Sequence, residues 1–359
     1  LVRSRGLGDV YKRQRVDHSR YADSRWYTGS GIYRDVWLIA APEIHLAQWG
    51  TGWHATSLTN RQATIAVDME VQKHIATNDR LELSATLYDA AGKQVAQRRT
   101  RVSDGKEGIT KENLTLKITN PHRWNLDDPY LYTLKTELLS NGQRIDGCET
   151  KVGLRTLKFD PNKGFALNDN WMKVKGVCLH HDAGVLGAVV PPEVWERRLN
   201  NLKEIGVNAI RMSHNPQAPV VYDLCDRLGL LIMDEASDEW EFPKRKWVKG
   251  WNKGEPAYDG SFDFFEEWIE QDVTDMVRRD RNHPSIFMWS IGNEVDYPND
   301  PYSHPILDGS TINQPMFGGY KPDAPDAMRI GKIAKRLAAC VRAVDTLSLI
   351  HISEPTRPY

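Results

Sequence analysis

The sequence predicts a multidomain chain in which an all-β part is followed by an α/β part. Three observations carry this. Over residues 42–159, apolar residues recur at every second position in short runs broken by turn residues, the pattern of antiparallel strands with one buried face. Beyond Asp160, four apolar runs alternate with four stretches of helical periodicity, which implies a parallel sheet covered on both faces. The length of 359 residues leaves room for two or three domains.

The elements follow in order. The opening "LVRSRGLGDVYKRQ" is basic, lacks an initiating Met and shows no pattern, and the closing "TLSLIHISEPTRPY" is as foreign to what precedes it. Both resemble translated vector or adapter sequence, so residues 1–14 and 346–359 are set aside as non-native tails. The native protein is expected to continue in both directions. Residues 26–41 hold a Gly-rich turn and a β-favouring run, which reads as the last strand of a domain whose beginning is lost.

Next, "TIAVDMEV" places Ile65, Val67, Met69 and Val71 on one face, "RLELSATLYD" does so with Leu81, Leu83, Ala85 and Leu87, and "NLTLKIT" with Leu114, Leu116 and Ile118. Turns such as Ser140-Asn141-Gly142 separate such runs. Strands at this spacing predict an antiparallel sandwich, immunoglobulin-like in size.

In the α/β part, "WMKVKGVCL" reads as a strand. Pro191-Pro192 then opens a helix with Trp195, Leu199, Leu202 and Ile205 on one stripe and Gly206 as its stop. "VNAIRMS" is a second strand, followed by a helix ended by Gly229. "LLIMDEA" is a third strand, and a loop leads to a long helix carrying Phe265, Trp268, Ile269, Val273, Met276 and Val277. "SIFMWSI" is the fourth strand, and a last helix carries Ile333, Leu337 and Val341. A doubly wound sheet and a barrel both fit. No Gly-rich phosphate loop follows the first strand, which counts against a dinucleotide fold.

Composition excludes some classes. The net charge of -1 favours neither nucleic acid nor an anionic membrane as partner. No apolar run is long enough to span a bilayer. Cys148, Cys178, Cys225 and Cys340 lie far apart, without metal-type spacing, and read as buried thiols. Twelve Trp serve a large core or offer stacking platforms for sugar rings.

Polar residues gather directly after each apolar strand. The first is followed by His180-His181-Asp182, the second by Ser213, His214 and Asn215 close to Arg211, the third holds Asp234-Glu235, and the fourth ends in Asn293-Glu294. In a parallel barrel all these ends open on one face, where active sites are built. Four such clusters on one rim make a polar pocket that stability alone does not explain.

"SRWYTGSGIYRDVWL", "GVCLHHDAG", "IRMSHNPQAP", "LCDRLGLLIMDEA" and "RDRNHPSIFMWSIGNE" resemble, in order, the successive motifs of glycoside hydrolase family 2, which contains β-galactosidases, β-glucuronidases and β-mannosidases. The resemblance implies a jelly-roll domain, an immunoglobulin-like β-sandwich and a (β/α)8 TIM barrel. On that plan residues 15–41 are the C-terminal remnant of a jelly-roll sugar-binding domain. Residues 42–159 are the immunoglobulin-like β-sandwich, and 160–345 the N-terminal half of the TIM-barrel catalytic domain.

The chemistry implied is retaining hydrolysis of terminal β-linked sugars by two carboxyl groups. Glu294 matches the general acid/base, and Asn293 matches the residue that bonds the sugar 2-hydroxyl. Arg211 and His214 match positions that contact sugar or set the catalytic carboxylates, and His180 matches a histidine that contacts sugar hydroxyls. Asp234 contacts the sugar or braces Arg211, because an acid beside an Arg orients it. His181 is a neighbour without an assigned role, and Trp240 and Trp247 are candidate sugar platforms or packing residues.

The departures bear on function. A barrel has eight strands, and four are readable here. The nucleophilic Glu expected after the seventh strand has no counterpart, so the chain is expected to be inactive alone. The edge of the fourth strand is expected to be an aggregation hazard. β-Galactosides are the favoured substrates, with β-glucuronides and β-mannosides as alternatives, and a non-catalytic carbohydrate-binding or scaffold protein is the rival class. No cofactor is assigned: some long family members hold Mg2+ near the acid/base, but no matching second ligand is found. The expected partner is a carbohydrate substrate, with no nucleic acid and no membrane. Homo-oligomerisation of the full-length protein, and the choice between periplasm and cytoplasm of a bacterium, stay open.

Overall fold

The computed structural model of the chain describes residues 29, 31–242, 261–295, 302–305, 322–345 and 349–350. Its β part is a two-layer sandwich. In one layer β3 (Gln62–Lys73) pairs along one edge with β1 (Ile44–Leu46) and β2 (Gly52–Leu58), and along the other with β6 (Gly108–Thr119). The other layer runs β5 (Gln94–Arg101), β4 (Leu81–Tyr88), β7 (Tyr132–Ser140), β8 (Gln143–Val152), all antiparallel. The faces read from the sequence meet between the layers: Ile65, Val67, Met69, Leu114 and Leu116 pack with Leu81, Leu83, Leu87 and Leu134 in one core. Period-two strands can bury only one face, and that requirement sets the register.

A three-stranded antiparallel sheet follows: β9 (Leu157–Asp160), β10 (Gly164–Leu167) and β11 (Asn170–Met172). The expected single strand over "WMKVKGVCL" is thus two. Its start closes this sheet, and only β12 (Gly176–Leu179) joins the parallel sheet. The alternation of Met172 and Val174 with Lys173 and Lys175 runs on from β11 to Gly176, so periodicity did not mark the break.

The parallel sheet has the order β12, β13 (Ala209–Met212), β14 (Leu231–Glu235), β15 (Ile286–Ser290), β16 (Leu349–Ile350). Helix α1 (Pro192–Glu204) lies between β12 and β13, α2 (Pro219–Leu228) between β13 and β14, α3 (Phe265–Asp280) between β14 and β15, and α4 (Met328–Val344) after β15. Pro at the first turn opens α1 and α2. Gly229 closes α2 in the left-handed region at φ 72°. Glu266 and Glu267 in the first turn of α3, with Arg278 and Arg279 in its last, suit the helix dipole. The outer face of the sheet packs on the helices through Ile210, Met212, Ile232 and Trp289, with Trp195, Val273 and Leu337 facing them.

Three sequence expectations are corrected. Ile205 and Trp268, read as core stripe residues, are 77% and 40% exposed. Residues 31–42 form no strand, and Trp37 and Leu38 stand 79% and 97% exposed, because no sheet among the described residues offers that segment a partner. The edge of β15 is partly covered, since Trp289 and Ser290 pair with Leu349 and Ile350. Among the described residues no helix is long and apolar enough to cross a membrane.

Candidate active site

Side chains in a strand alternate between faces, and residues paired across a parallel sheet share a face. Cys178 pairs with Arg211, Arg211 with Met233, Met233 with Met288, and Glu235 with Ser290. All of these therefore lie on the sheet face opposite the helices. Low on that face the residues are apolar: Ala209, Leu231 and Met288 pack with Phe165 and Trp124. Towards the C-terminal strand ends they turn polar, as Arg211, Glu235 and Ser290.

Glu235 is the centre of that polar end. Its side chain is fully buried. One carboxylate oxygen, Oε2, accepts from Arg211 Nε at 2.9 Å, Arg211 NH2 at 2.7 Å and Ser290 Oγ at 2.8 Å. The other, Oε1, lies 2.6 Å from His214 Nδ1. Burial works against the Arg211 charge, but Glu235 outweighs it and raises the guanidinium above its usual range. Arg211 NH2 also donates to Asn293 Oδ1 at 2.8 Å, and Asn293 Nδ2 donates to Asp238 Oδ1 at 2.8 Å. A guanidinium only donates and a carboxylate only accepts, so the two bonds fix which end of the Asn293 amide is oxygen.

The chain after β15 is shaped to present Asn293 and Glu294. Trp240 is buried, and its indole N–H donates to Ile291 O at 3.0 Å. A Cβ on Gly292 would lie 2.6 Å from that indole nitrogen, so only Gly fits under it. Asn293 N donates to Ser237 O at 3.0 Å, tying the end of β15 to the end of β14. Glu294 follows, half-buried, at φ 41°, a conformation uncommon outside Gly. His180 joins from the end of β12, with its ring 5.2 Å from that of His214 in an edge-on arrangement. Burial, followed by the neighbouring His214, lowers the His180 pKa.

The structure thus brings Arg211, His214, Asn293 and His180 together, with Glu294 directly after Asn293 in the chain, and separates Asp234 from them. Asp234 is fully buried on the helix side of β14, where Oδ1 accepts from Tyr222 OH at 2.6 Å. Burial, followed by Asp280, raises its pKa well above the usual carboxylate range. The expected brace on Arg211 is supplied by the next residue, Glu235. The strand register decides between them: Arg211 pairs with Met233, so Glu235, two residues on, shares its face and Asp234 does not. His181 likewise leaves the rim, with its ring 5.7 Å from Trp195 and Nδ1 3.2 Å from Gln217 Oε1. Burial first and Arg34 second hold its pKa down to about 4, so it is neutral. Trp240 is a buried strut rather than a platform, and Trp247 lies outside the described residues.

Asp223, Asp226 and His283 form a three-residue group with potential metal-ligand atoms within 4.8 Å. It sits at the opposite end of the sheet, where Asp226 already accepts from His283 Nδ1 at 2.7 Å and from Ser285 N at 3.0 Å. Both carboxylate oxygens are committed, so the group reads as a structural lock.

Comparison with known proteins bears on the family and the fold. The model of the glycosyl hydrolases family 2 TIM barrel domain matches residues 161–313, and a second family 2 model matches residues 49–155. The chain belongs to glycoside hydrolase family 2. A β-galactosidase of Bacteroides ovatus is 44% identical over 283 residues, covering 78% of this chain and 32% of that protein. A β-glucuronidase of Bacteroides fragilis is 31% identical, covering 75% of this chain and 38% of that protein. Among solved structures, a family 2 member from Bacteroides cellulosilyticus superimposes with a TM-score of 0.76 at 32% identity, over 92% of this chain and 38% of that one. A β-glycosidase from Bacteroides vulgatus gives 0.73 at 32% identity, over 93% and 37%. The fold is therefore the family 2 β-sandwich followed by the start of its TIM barrel. The chain spans about a third of the length of the Bacteroides ovatus relative.

Proposed function

We propose that this chain is the acid/base-bearing part of a retaining β-glycosidase, with β-galactosides as the favoured substrates. The observation that supports it is the setting of Glu294: directly after Asn293, on the strand-end rim that also holds Arg211, His214 and His180. Glu294 protonates the glycosidic oxygen as the bond breaks, then takes a proton from the water that releases the sugar. Asn293 bonds the sugar 2-hydroxyl, and that bond strengthens as the ring gains oxocarbenium character. His180, His214 and Arg211 hold the remaining polar edge of the sugar. The nucleophilic carboxylate is assigned to no residue of this chain, and the 359-residue chain alone is expected not to hydrolyse glycosides.

The β-galactoside preference follows the relative with 44% identity; the β-glucuronidase at 31% keeps β-glucuronides as the second reading. The test is made on the protein extended through its complete coding sequence. Aryl β-galactosides, β-glucuronides and β-mannosides are supplied in parallel, and the first-formed anomer is read by proton NMR. The β-galactoside should turn over fastest and release the β-anomer. Release of the α-anomer, or no turnover of any of the three, overturns the reading.

A further inference from the structure

Glu235 matches no role assigned above to a sugar-contacting or proton-transferring residue, yet it takes four donors, and two of the side chains donating to it belong to the rim. Building on the proposed glycosidase reading, we propose that Glu235 is a positioning residue that fixes the hydrogen-bond polarity of the rim, setting both the His214 tautomer and the Asn293 amide orientation.

The argument is one of donors and acceptors. An ionised carboxylate accepts at both oxygens and donates at neither. Arg211 occupies Oε2 with two N–H groups and Ser290 with a hydroxyl. The 2.6 Å approach of His214 Nδ1 to Oε1 then requires the proton to be on Nδ1. A neutral His214 therefore keeps its lone pair on Nε2, where it can accept from a sugar hydroxyl. The same Arg211 NH2 group that binds Glu235 donates to Asn293 Oδ1. Asn293 must accordingly turn its nitrogen the other way, towards Asp238, and its amide edge is presented in one sense only. Because Glu235 is fully buried, water cannot substitute for any bond it loses.

Glu235→Gln discriminates sharply, since Gln has nearly the same shape. Its single acceptor oxygen must serve Arg211, which cannot accept. Its NH2 group is then left facing His214 Nδ1, which must become an acceptor. The variant should therefore move the neutral His214 proton from Nδ1 to Nε2. Long-range 1H–15N spectra of this chain, at a pH high enough for neutral imidazoles, read that directly. The wild type should show the Nδ1–H tautomer and Glu235→Gln the Nε2–H tautomer. Circular dichroism and a thermal melt confirm that both are folded, and Ser290→Ala, which removes a neutral donor only, should leave the tautomer unchanged. An Nε2–H tautomer in the wild type, or no change in Glu235→Gln, overturns the proposal whatever the chain's function.

In the complete protein, Glu235→Gln should lower kcat on the order of 10- to 100-fold, as expected for mispaired buried polar groups. Glu235→Asp, which retains the charge, should recover part of the loss. A tautomer flip with unchanged kinetics would refute the catalytic consequence while leaving the glycosidase reading intact. An inactive wild type would refute that reading, and the spectra would still decide the role of Glu235.

Discussion

At the scale of single residues, the functional end of the sheet is a problem of charge placement. Arg211 retains its charge in a half-buried site because a buried carboxylate faces it from the neighbouring strand. A second buried ion pair, at the other end of the sheet, makes a pH prediction. His283 is pushed up to about 9: burial opposes its charge, and Asp226 outweighs the burial. The folded state then binds this proton more tightly than the unfolded chain. The stabilisation is complete below about pH 6.5, the ordinary His value, and is lost as pH climbs through about 9. Its size is about 3 kcal/mol at most. Denaturant unfolding between pH 6 and 9.5 should show this decline, and Asp226→Asn should flatten it. An equally steep decline in the variant would mean that another group is responsible.

At the scale of elements, strand parity decides most of what the site does. Period two placed the sandwich faces correctly, because Ile65, Val67 and Leu83 occupy strands with one wet face. The parallel strands defeated that reading, because a strand buried on both sides, such as Leu231–Glu235 or Ile286–Ser290, shows no alternation from which its parity can be read. That is why Asp234 and Glu235 could be exchanged in the sequence analysis, whereas β11 and β12 appeared as one strand because the alternation of Met172 and Val174 with Lys173 and Lys175 runs across the break. Helix starts and stops were legible at Pro192 and Gly229 because those residues act through their own backbone. The position of Glu294 at the end of β15 was legible from the motif order. The tether of Trp240 was not, since it depends on the ends of β14 and β15 lying side by side. The clash that a Cβ at position 292 would make with Trp240 gives the prediction at this scale. Gly292→Ala should cost about 1–3 kcal/mol of stability, read as a lower denaturation midpoint, and should cut activity of the complete enzyme at least tenfold by displacing Asn293 and Glu294. An unchanged rate would show that the turn tolerates a different path.

At the scale of the whole molecule, the sandwich and the parallel sheet are joined by several contacts rather than by a linker alone. Trp124, fully buried, leaves the sandwich and donates its indole N–H to Asp226 O at 2.8 Å. Arg278 at the end of α3 binds Glu70 of β3 through two N–H groups, at 2.6 and 3.3 Å. Asn282 donates to Thr51 O at 2.9 Å and accepts from Trp53 N at 3.2 Å. These contacts predict that the two parts unfold together. Calorimetry should show one transition in the wild type, and Trp124→Ala should lower stability by about 3–5 kcal/mol and split the transition in two. Two transitions already present in the wild type would mean that the parts are energetically independent. The account as a whole turns on the proposal that Glu294, at the end of β15, is the proton donor, and the dependence of rate on leaving group tests it most directly. In the complete protein, Glu294→Ala should reduce hydrolysis of alkyl β-galactosides by roughly 100- to 10,000-fold, and should affect aryl β-galactosides with strongly acidic phenols far less, because those leave without protonation. Equal losses on both classes of substrate would contradict the assignment of Glu294 as the acid.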